Sequence, residues 1–406
     1  MEAATFNIGE GAPACLLAGG VAHCTCPAAG LNCLTSIDIM SSAASSSFGV
    51  FDISFHTSSS LSDVHKSSQG CSNIAQRRRS IINIAESTNT PESTYDNGNH
   101  NRHQELQVQP LDDSVKFYEF LGMKLIKKLS FEEAKFDLYF LGYDGPKALS
   151  VGNTTFDREG LIELTHNYGT ENDPEYKVNN GNKEPDRGFG HTCISVDNIQ
   201  AACKRIEDAG YSFRKKLTDG LMKHIAFALD PDGYWVEVIG QKPVEETEYV
   251  TETNVETYRM NHTMIRVKDI EKSLKFYQDV LGMELIDTRE SPNAGYNLYF
   301  LGYTKGKEGM ARADREGLLE LTYNYGTEKD PNFKYHDGNS GFQGFGHICV
   351  SVDQLEPACQ RFEENGCNWK KRLTDGRMKN VAFLLDPDGY WVEVVQNESF
   401  TGKANF

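Results

Sequence analysis

The chain lacks any run of apolar residues long enough to cross a membrane, since no stretch of about 18 such residues occurs. It also lacks a positive charge balance: 41 lysines and arginines face 58 aspartates and glutamates, which gives a net charge of −17. A field of that sign repels nucleic acid and anionic membranes, so neither is expected as a partner. An anionic small molecule can still bind where a few basic side chains converge.

The first hundred residues are short of basic side chains, for the first lysine or arginine is Lys66. A mitochondrial presequence needs early arginines and a secretory signal needs a basic start, so neither is predicted. Serine, alanine, glycine and asparagine dominate without a hydrophobic period, which predicts a low-complexity, disordered tail over 1–102. Paired CxxC motifs of zinc-ribbon spacing are missing as well. The cysteines of the repeat described next fall on apolar positions, and such free thiols indicate a reducing, cytoplasmic location.

What the sequence does contain is an internal repeat. Residues 187–240 align without a gap on residues 343–396, and 32 of these 54 positions are identical. Upstream, KFYEFLGMKL matches KFYQDVLGMEL, and DREGLIELTHNYGTENDP matches DREGLLELTYNYGTEKDP. The segments that follow from this alignment are the first copy over 103–241, an acidic linker over 242–259, the second copy over 260–397 and a short tail over 398–406.

Each copy divides into two smaller units. In the second copy HTMIRV alternates like a strand, and DIEKSLKFYQDVLGM has apolar residues at helical spacing between the N-cap Asp269 and Gly282. NLYFLGY and GLLELTYNYG follow as strands. The same order returns with GHICVSV, DQLEPACQRFEENG, KNVAFLLD and a DPDG turn that leads into YWVEVV. The prediction is an α+β protein of two tandem repeats, each built from two βαβββ modules.

The predicted strands carry histidines and glutamates among apolar residues. Strand alternation puts His262 and Arg266 on one face and turns Glu237 away from Val236 and Val238. A single strand histidine is more often structural than a metal ligand. A buried glutamate, however, is costly without a partner, and the LIELT or LLELT and WVEV segments each occur twice. Two histidines and two glutamates would suit a six-coordinate divalent ion with two positions open for substrate or water.

Six strings, NHTMIRVKD, FYQDVLGM, LELTYNYGTE, GFGHI, LTDGRMK and DPDGYWVE, together resemble the glyoxalase I family of the vicinal oxygen chelate superfamily, in its zinc-type tandem fungal form. The resemblance covers about 103–397. It implies a metal held by the first-strand histidine, the LELT glutamate, the GFGH histidine and the WVEV glutamate. It also implies that each site pairs the first half of one copy with the second half of the other.

That rule divides the candidate residues into two sites. Site one has the metal ligands His262, Glu320, His191 and Glu237 and the substrate-binding positions Arg266, Asn324, Arg187, Lys215 and Met222. Site two has the metal ligands His103, Glu163, His347 and Glu393 and the substrate-binding positions Asn167, Lys371 and Met378. In site two Gln107 and Gln343 replace the two arginines. Because arginines bind carboxylates through charge-assisted hydrogen bonds, we expect site two to bind glutathione weakly.

The resemblance implies a lactoylglutathione lyase, which isomerises the hemithioacetal of glutathione and methylglyoxal and so detoxifies methylglyoxal. Glu237 is then the principal base of site one and Glu320 a ligand and second acid or base; Glu393 and Glu163 hold these roles in site two. Zinc is the metal that the family form implies, with nickel and cobalt as alternatives, because imidazole and carboxylate suit several ions. The expected assembly is a monomer whose copies pair within the chain.

Two other functions stay open on the sequence alone. Extradiol dioxygenases share the βαβββ scaffold and use two histidines and one glutamate around iron, so the fold does not decide between them. The fourth ligand position and the basic side chains favour the isomerase. The other alternative is a protein that binds a metal or a glutathione conjugate without turnover.

Overall fold

The computed structural model describes residues 16–18, 21–25, 32–36, 102–109, 111–246 and 250–405, with the backbone alone for 16–18, 21–25, 32–36 and 102–103. The chain forms two compact units, Met1–Glu92 and Ser93–Phe406. In the first unit, β1 (Leu16–Ala18), β2 (Val21–Thr25) and β3 (Asn32–Ser36) form an antiparallel sheet. The predicted tail, 1–102, otherwise lies outside the described residues.

Four βαβββ modules follow one another in the second unit, two in each copy, which confirms the predicted α+β class. The first copy contains β4 (Arg102–Gln107), α1 (Leu111–Phe120), β5 (Lys124–Phe131), β6 (Phe136–Gly142), β7 (Leu161–Asn167), β8 (Phe189–Val196), α2 (Ile199–Asp208), β9 (Phe213–Lys215), β10 (Ile225–Leu229) and β11 (Trp235–Gly240). The second copy contains β12 (Arg259–Val267), α3 (Ile270–Lys275), β13 (Glu284–Ser291), β14 (Tyr296–Gly302), β15 (Leu318–Asn324), β16 (Phe345–Val352), α4 (Leu355–Glu364), β17 (Asn368–Lys371), β18 (Val381–Leu385) and β19 (Trp391–Gln396), and α5 (Glu398–Thr401) follows it.

The modules combine into two eight-stranded sheets. One has the order β13-β14-β15-β12-β8-β11-β10-β9, and the other has the order β17-β18-β19-β16-β4-β7-β6-β5. In each sheet two strands from different copies meet as antiparallel neighbours, β12 with β8 and β4 with β16. Each sheet therefore consists of the first half of one copy and the second half of the other.

The helix after β12 shows how one extra residue is absorbed. Asp269 caps α3 by accepting from the backbone N–H of Lys272, as the sequence predicts. Beyond Lys275 the helix continues as a π-helical turn over Phe276–Val280, whereas α1 in the first copy stays α-helical to its end. The second copy has one residue more here, KFYQDVLGM against KFYEFLGM, and a π turn accommodates one residue without shifting the flanking strands.

Within the described ranges, no helix has the length and apolar character needed to cross a bilayer.

One hydrophobic core runs through the second unit and includes residues of both sheets and of α1 to α4. At the contact between the sheets, Phe189 of β8 stacks on Phe345 of β16 with ring centroids 4.8 Å apart. Burying such side chains supplies most of the free energy that holds the two sheets together. The two sheets are thus held against each other by packing, whereas the pairing of β12 with β8 and of β4 with β16 joins the two copies within each sheet.

A DPDG turn in each copy forms a buried link to a helix. The N–H of Gly233 donates to the carbonyl of Asp230 at 3.0 Å, which is the predicted β-turn. The hydroxyl of Tyr118 in α1 donates to the Asp230 carboxylate at 3.0 Å, and Tyr277 donates to Asp386 at 2.9 Å in the second copy. Burial, helped by a neighbouring aspartate, raises the pKa of Asp230 to about 8 and that of Asp386 to about 7. These carboxyl groups therefore change charge near neutral pH inside the core.

Candidate functional site

Four side chains from four adjacent strands meet on one face of the first sheet. They are His262 of β12, His191 of β8, Glu237 of β11 and Glu320 of β15, all buried, and one ligand atom of each lies within 4.8 Å of every other. His262 Nε2 lies 3.0 Å from Glu320 Oε2 and 3.2 Å from Glu237 Oε2. His191 Nε2 lies 3.3 Å from His262 Nε2. The structure thus brings together all four side chains predicted for site one.

Strand register explains why these residues converge although they are far apart in sequence. The seam between the copies is the line where β12 lies beside β8 in this sheet and β4 beside β16 in the other. Across the seam His262 pairs with Cys193, and Cys193 pairs in turn with Glu237, so all three positions form one row across the sheet. Alternation directs the neighbours of Glu237 and Glu320 to the opposite face, where Val236, Val238, Leu319 and Leu321 are buried in the core. The apolar flanks predicted from sequence therefore anchor each strand while the carboxylates face the cluster.

Asn261 fixes the orientation of the His262 ring. Its Nδ2 donates to the carbonyls of Arg312 and Arg315, both at 2.8 Å, so its Oδ1 is the atom that faces His262 Nδ1 at 2.8 Å. A carbonyl oxygen only accepts, so Nδ1 carries the proton and Nε2 presents its lone pair to the cluster. The sequence analysis missed this residue, although its position next to His262 was the available signal.

The electrostatics of the cluster match a bound cation. Burial raises the pKa of Glu237, but hydrogen bonds and charge from His191 and His262 outweigh it and hold that pKa well below the usual range. For His262 burial lowers the pKa, while Glu237 and Glu320 raise it further than burial lowers it. With neutral imidazoles the site would hold two buried, uncompensated carboxylates, which is costly. A divalent ion neutralises them, and the imidazole and carboxylate donors fit one.

Beside the site one cluster lie the basic side chains predicted to bind substrate. Arg266 is buried, and its guanidinium donates to the carbonyls of Gly181, Gly188 and Phe189 and to Asn182 Oδ1, at 2.9–3.2 Å. Burial lowers the pKa of Arg266, and the charge of Arg187 lowers it further, so the two guanidinium groups are close enough to interact. The half-exposed Arg187 pairs with Glu184 at 3.1 Å.

The other predicted substrate positions of site one lie on the same sheet. Asn324, in β15, donates to the Tyr335 hydroxyl at 2.8 Å. Lys215, at the end of β9, donates to the carbonyls of Met222 and Ile225 at 2.7 and 2.8 Å, which holds the loop carrying Met222. Burial lowers the pKa of Lys215, and the negative charge of Glu237 acts in the opposite direction.

Site two brings together three of its four predicted metal ligands, Glu163, His347 and Glu393, within 4.8 Å. His347 Nε2 lies 3.2 Å from Glu393 Oε2 and 3.8 Å from Glu163 Oε2. The backbone of His103 pairs with Cys349 and Leu161, as that of His262 pairs with Cys193 and Leu318. The register therefore places His103 at the position in site two that His262 holds in site one. The side chain of His103 lies outside what the structure describes, so its role as a ligand stays a prediction.

The substrate side of site two differs from that of site one in charge. Gln107 occupies the register position of Arg266 and bonds to Asn167 and to Glu105, a carboxylate that the sequence analysis did not single out. Gln343 replaces Arg187. Lys371 donates to the carbonyls of Met378 and Val381 at 2.6 and 2.7 Å, as Lys215 does in site one. Of the basic side chains predicted around site one, the described part of site two keeps the lysine alone.

Comparisons with known proteins agree with this geometry. The model of the Glyoxalase/Bleomycin resistance protein/Dioxygenase superfamily matches residues 101–238 and 259–394. A lactoylglutathione lyase of Schizosaccharomyces pombe is 53% identical over 298 residues, which cover 73% of this chain and 96% of the relative. A glyoxalase I of Saccharomyces cerevisiae is 49% identical over 304 residues, covering 72% and 91%. The crystal structure of glyoxalase I from Zea mays is 28% identical, with a TM-score of 0.54 over 75% of this chain and 95% of that one.

Proposed function

Because the chain belongs to the glyoxalase I family, within the Glyoxalase/Bleomycin resistance protein/Dioxygenase superfamily, we propose that it is a lactoylglutathione lyase. Its substrate is the hemithioacetal of glutathione and methylglyoxal, and its product is S-D-lactoylglutathione. The observation that carries the proposal is the convergence of two imidazoles and two carboxylates at site one. The two guanidinium groups beside that cluster support a substrate that bears carboxylates.

His262, His191, Glu237 and Glu320 would hold a divalent ion in site one, for which we propose zinc. When bound, the ion supplies Lewis-acid polarisation of the two substrate oxygens, which makes the C1 proton more acidic. Glu163, His347 and Glu393, with His103 as a predicted fourth ligand, would hold an ion in site two. Nickel and cobalt fit the same donor atoms.

The proton transfer falls to glutamates. Glu237 takes the proton from C1 of the hemithioacetal and returns it to C2, while the proton of the C1 hydroxyl moves to the C2 oxygen, so that C1 becomes the thioester carbonyl and C2 the alcohol carbon. A bound divalent ion would keep Glu237 ionised at neutral pH, so a base is available without a histidine in that role. Glu320 accepts from Thr322 Oγ1 at 3.3 Å, which holds it beside His262 as a ligand and second acid or base. In site two Glu393 and Glu163 take these roles.

Substrate binding in site one depends on the basic side chains around the metal cluster, which together form the substrate rim. Arg266, Arg187 and Lys215 bind the carboxylates of glutathione through charge-assisted hydrogen bonds, with Asn324 and Met222 beside them. This explains how a chain of net charge −17 holds an anionic substrate.

Each site draws ligands from both copies, so one chain supplies complete sites and we propose a monomer. The five cysteines of the two copies are free, which supports a reducing, cytoplasmic location.

The test is thioester formation, followed by absorbance after the zinc-loaded chain is mixed with methylglyoxal and glutathione. The wild-type chain should form the thioester, and Glu237→Gln should lower kcat/KM by roughly 10- to 1,000-fold, because it removes the general base of site one and leaves turnover to site two. Glu245→Gln, a change at an exposed position outside both sites, serves as the control. Oxygen uptake with a catechol and no thioester would instead support a dioxygenase, and binding of S-alkyl glutathione without turnover would support a binding protein.

A further inference from the structure

In site two a carboxylate lies against the side of the His347 ring that faces away from the metal cluster. Glu105 Oε2 is 2.7 Å from His347 Nδ1, and the two side chains are 14% and 5% exposed. The same carboxylate accepts from the hydroxyl of Thr165 and, at 2.8 Å, from Nε2 of Gln107. Three donors from three strands therefore hold Glu105 in one orientation.

Site one has no carboxylate at the corresponding place. Glu105 pairs in register with the LIELT glutamate of β7, as Met264 pairs with the LLELT glutamate of β15. Both side chains lie over a glycine: a Cβ on Gly346 would be 1.9 Å from Glu105 Oε2, and one on Gly190 would be 2.4 Å from Met264 Sδ. The same space beside the GFGH histidine is therefore filled by a thioether in site one and by an anion in site two.

The position of the anion determines which nitrogen of His347 carries the proton. A carboxylate only accepts, so Nδ1 donates, and Nε2 is the nitrogen directed towards Glu393 and Glu163. An imidazole whose Nδ1–H donates to a carboxylate has a fixed tautomer and ring orientation and is a stronger electron donor through Nε2. We infer that Glu105 is a positioning residue of site two: it holds His347 in the metal-binding tautomer and raises the affinity of that site for a divalent ion.

The two sites then differ in how their ligands are oriented. Beside the GFGH histidine, site one has the thioether of Met264 next to His191, whereas in site two the charged Glu105 orients His347. A carboxylate accepts from an imidazole N–H more strongly than a thioether does. Site two thereby keeps a strong metal ligand although both arginines of the substrate rim are absent. The inference rests on the proposed metal-dependent function and assigns a role to one residue within it.

The first experiment titrates the metal-free full-length chain with zinc against a chromophoric chelator. We expect two zinc ions per chain, and the binding step lost in His347→Gln identifies site two. Glu105→Met, which introduces the residue of site one, should weaken that step about 10–100-fold and leave the other step unchanged. Glu105→Gln keeps an acceptor oxygen and should weaken it less. Met264→Leu is the matched control at site one and should change neither step.

The second experiment reads the tautomer itself, by ¹⁵N NMR of histidine-labelled chain with His347 assigned through His347→Gln. In the metal-free chain, at a pH high enough that the His347 imidazolium has lost one ring proton, the wild type should show His347 protonated at Nδ1 alone, and Glu105→Met should show a mixture of tautomers. A folded Glu105→Met chain with unchanged zinc affinity at site two, an equal loss at both sites, or a wild type that binds zinc only at site one would each overturn the inference. Absence of zinc from site one as well would contradict the proposed function itself.

Discussion

The two sites should contribute very unequally to turnover, and the difference can be worked out from the substrate rim. Glu237→Gln disables site one and Glu393→Gln disables site two, by the same chemical change at equivalent positions. Glu393→Gln should keep nearly all of the wild-type kcat/KM, because the site it leaves intact has both arginines. Glu237→Gln should leave only the activity of site two.

The magnitude follows from the burial of the two missing arginines. Arg266 is 8% exposed, so a charge-assisted contact there contributes about 1.5–3 kcal/mol. The side chain of Arg187 is 38% exposed and screened by solvent, which reduces its contribution to about 1 kcal/mol or less. The sum of about 1.5–4 kcal/mol corresponds to roughly 10- to 1,000-fold in kcat/KM. The kcat/KM of the Glu237→Gln variant should therefore fall by about that factor.

Restoring the arginines tests the cause. In the Glu237→Gln background, Gln107→Arg with Gln343→Arg should recover at least roughly tenfold in kcat/KM, chiefly through a lower KM. The carbonyls that hold Arg266 in site one have counterparts in site two at Gly338, Gly344 and Phe345, so an introduced guanidinium at 107 has acceptors. The assay is thioester formation at substrate concentrations below KM. Glu393→Gln losing as much activity as Glu237→Gln would refute the reasoning.

Three further predictions concern stability and binding. Folding raises the pKa of Asp230 to about 8 and that of Asp386 to about 7, so their stabilising effect is complete below about pH 4 and is lost as pH rises to those values. Asp230→Asn with Asp386→Asn should therefore flatten the fall of Tm between about pH 4 and 8, and an equal fall of Tm in the double variant and the wild type would contradict this. Removing zinc with a chelator should abolish thioester formation and lower Tm, because a ligand at about 100 times its Kd stabilises the folded chain by about 2.7 kcal/mol. A Tm that does not depend on zinc would exclude a contribution of the metal to stability. Gly181→Ala would place a Cβ 2.3 Å from the carbonyl oxygen of Phe189, which accepts from Arg266, and should raise KM for the glutathione adduct. The control Gly152→Ala, at a similar φ of +76° with no atom within 4 Å of the added Cβ, should leave KM unchanged.

Much of site one could be predicted from sequence because each ligand sits in a strand whose apolar alternation is intact. Glu320 and Glu237 are flanked by buried apolar residues, and Ile265 and Val267 are buried on the other face of the strand of His262, so strand periodicity alone gave the faces on which these ligands lie. The repeat then supplied a second example of the LLELT, GFGH and WVEV segments. What periodicity could not give is that the strands of different copies lie side by side, since that depends on the register across the seam; the family resemblance supplied it.

The parts that sequence reasoning missed depend on contacts at long range or on local accommodation. Glu105 meets His347 across 242 positions of the chain, and its strand lacks the NHTMIRV string that marks the equivalent strand of the other copy. The extra residue before Gly282 is visible in the alignment, but whether a helix or a loop absorbs it depends on the packing of Tyr277 against the core. Arg266 was expected to face substrate, yet most of its donors serve backbone carbonyls, which no spacing rule reveals.

The exchange of halves between copies has a consequence for either copy made on its own. A fragment containing only the second copy would separate β12 and β16 from their seam partners β8 and β4, leaving two unpaired sheet edges. Two such fragments can satisfy each other's edges by pairing β12 of one with β16 of the next. Each new sheet would then join His262 and Glu320 to His347 and Glu393, so a symmetric homodimer would carry two full ligand quartets.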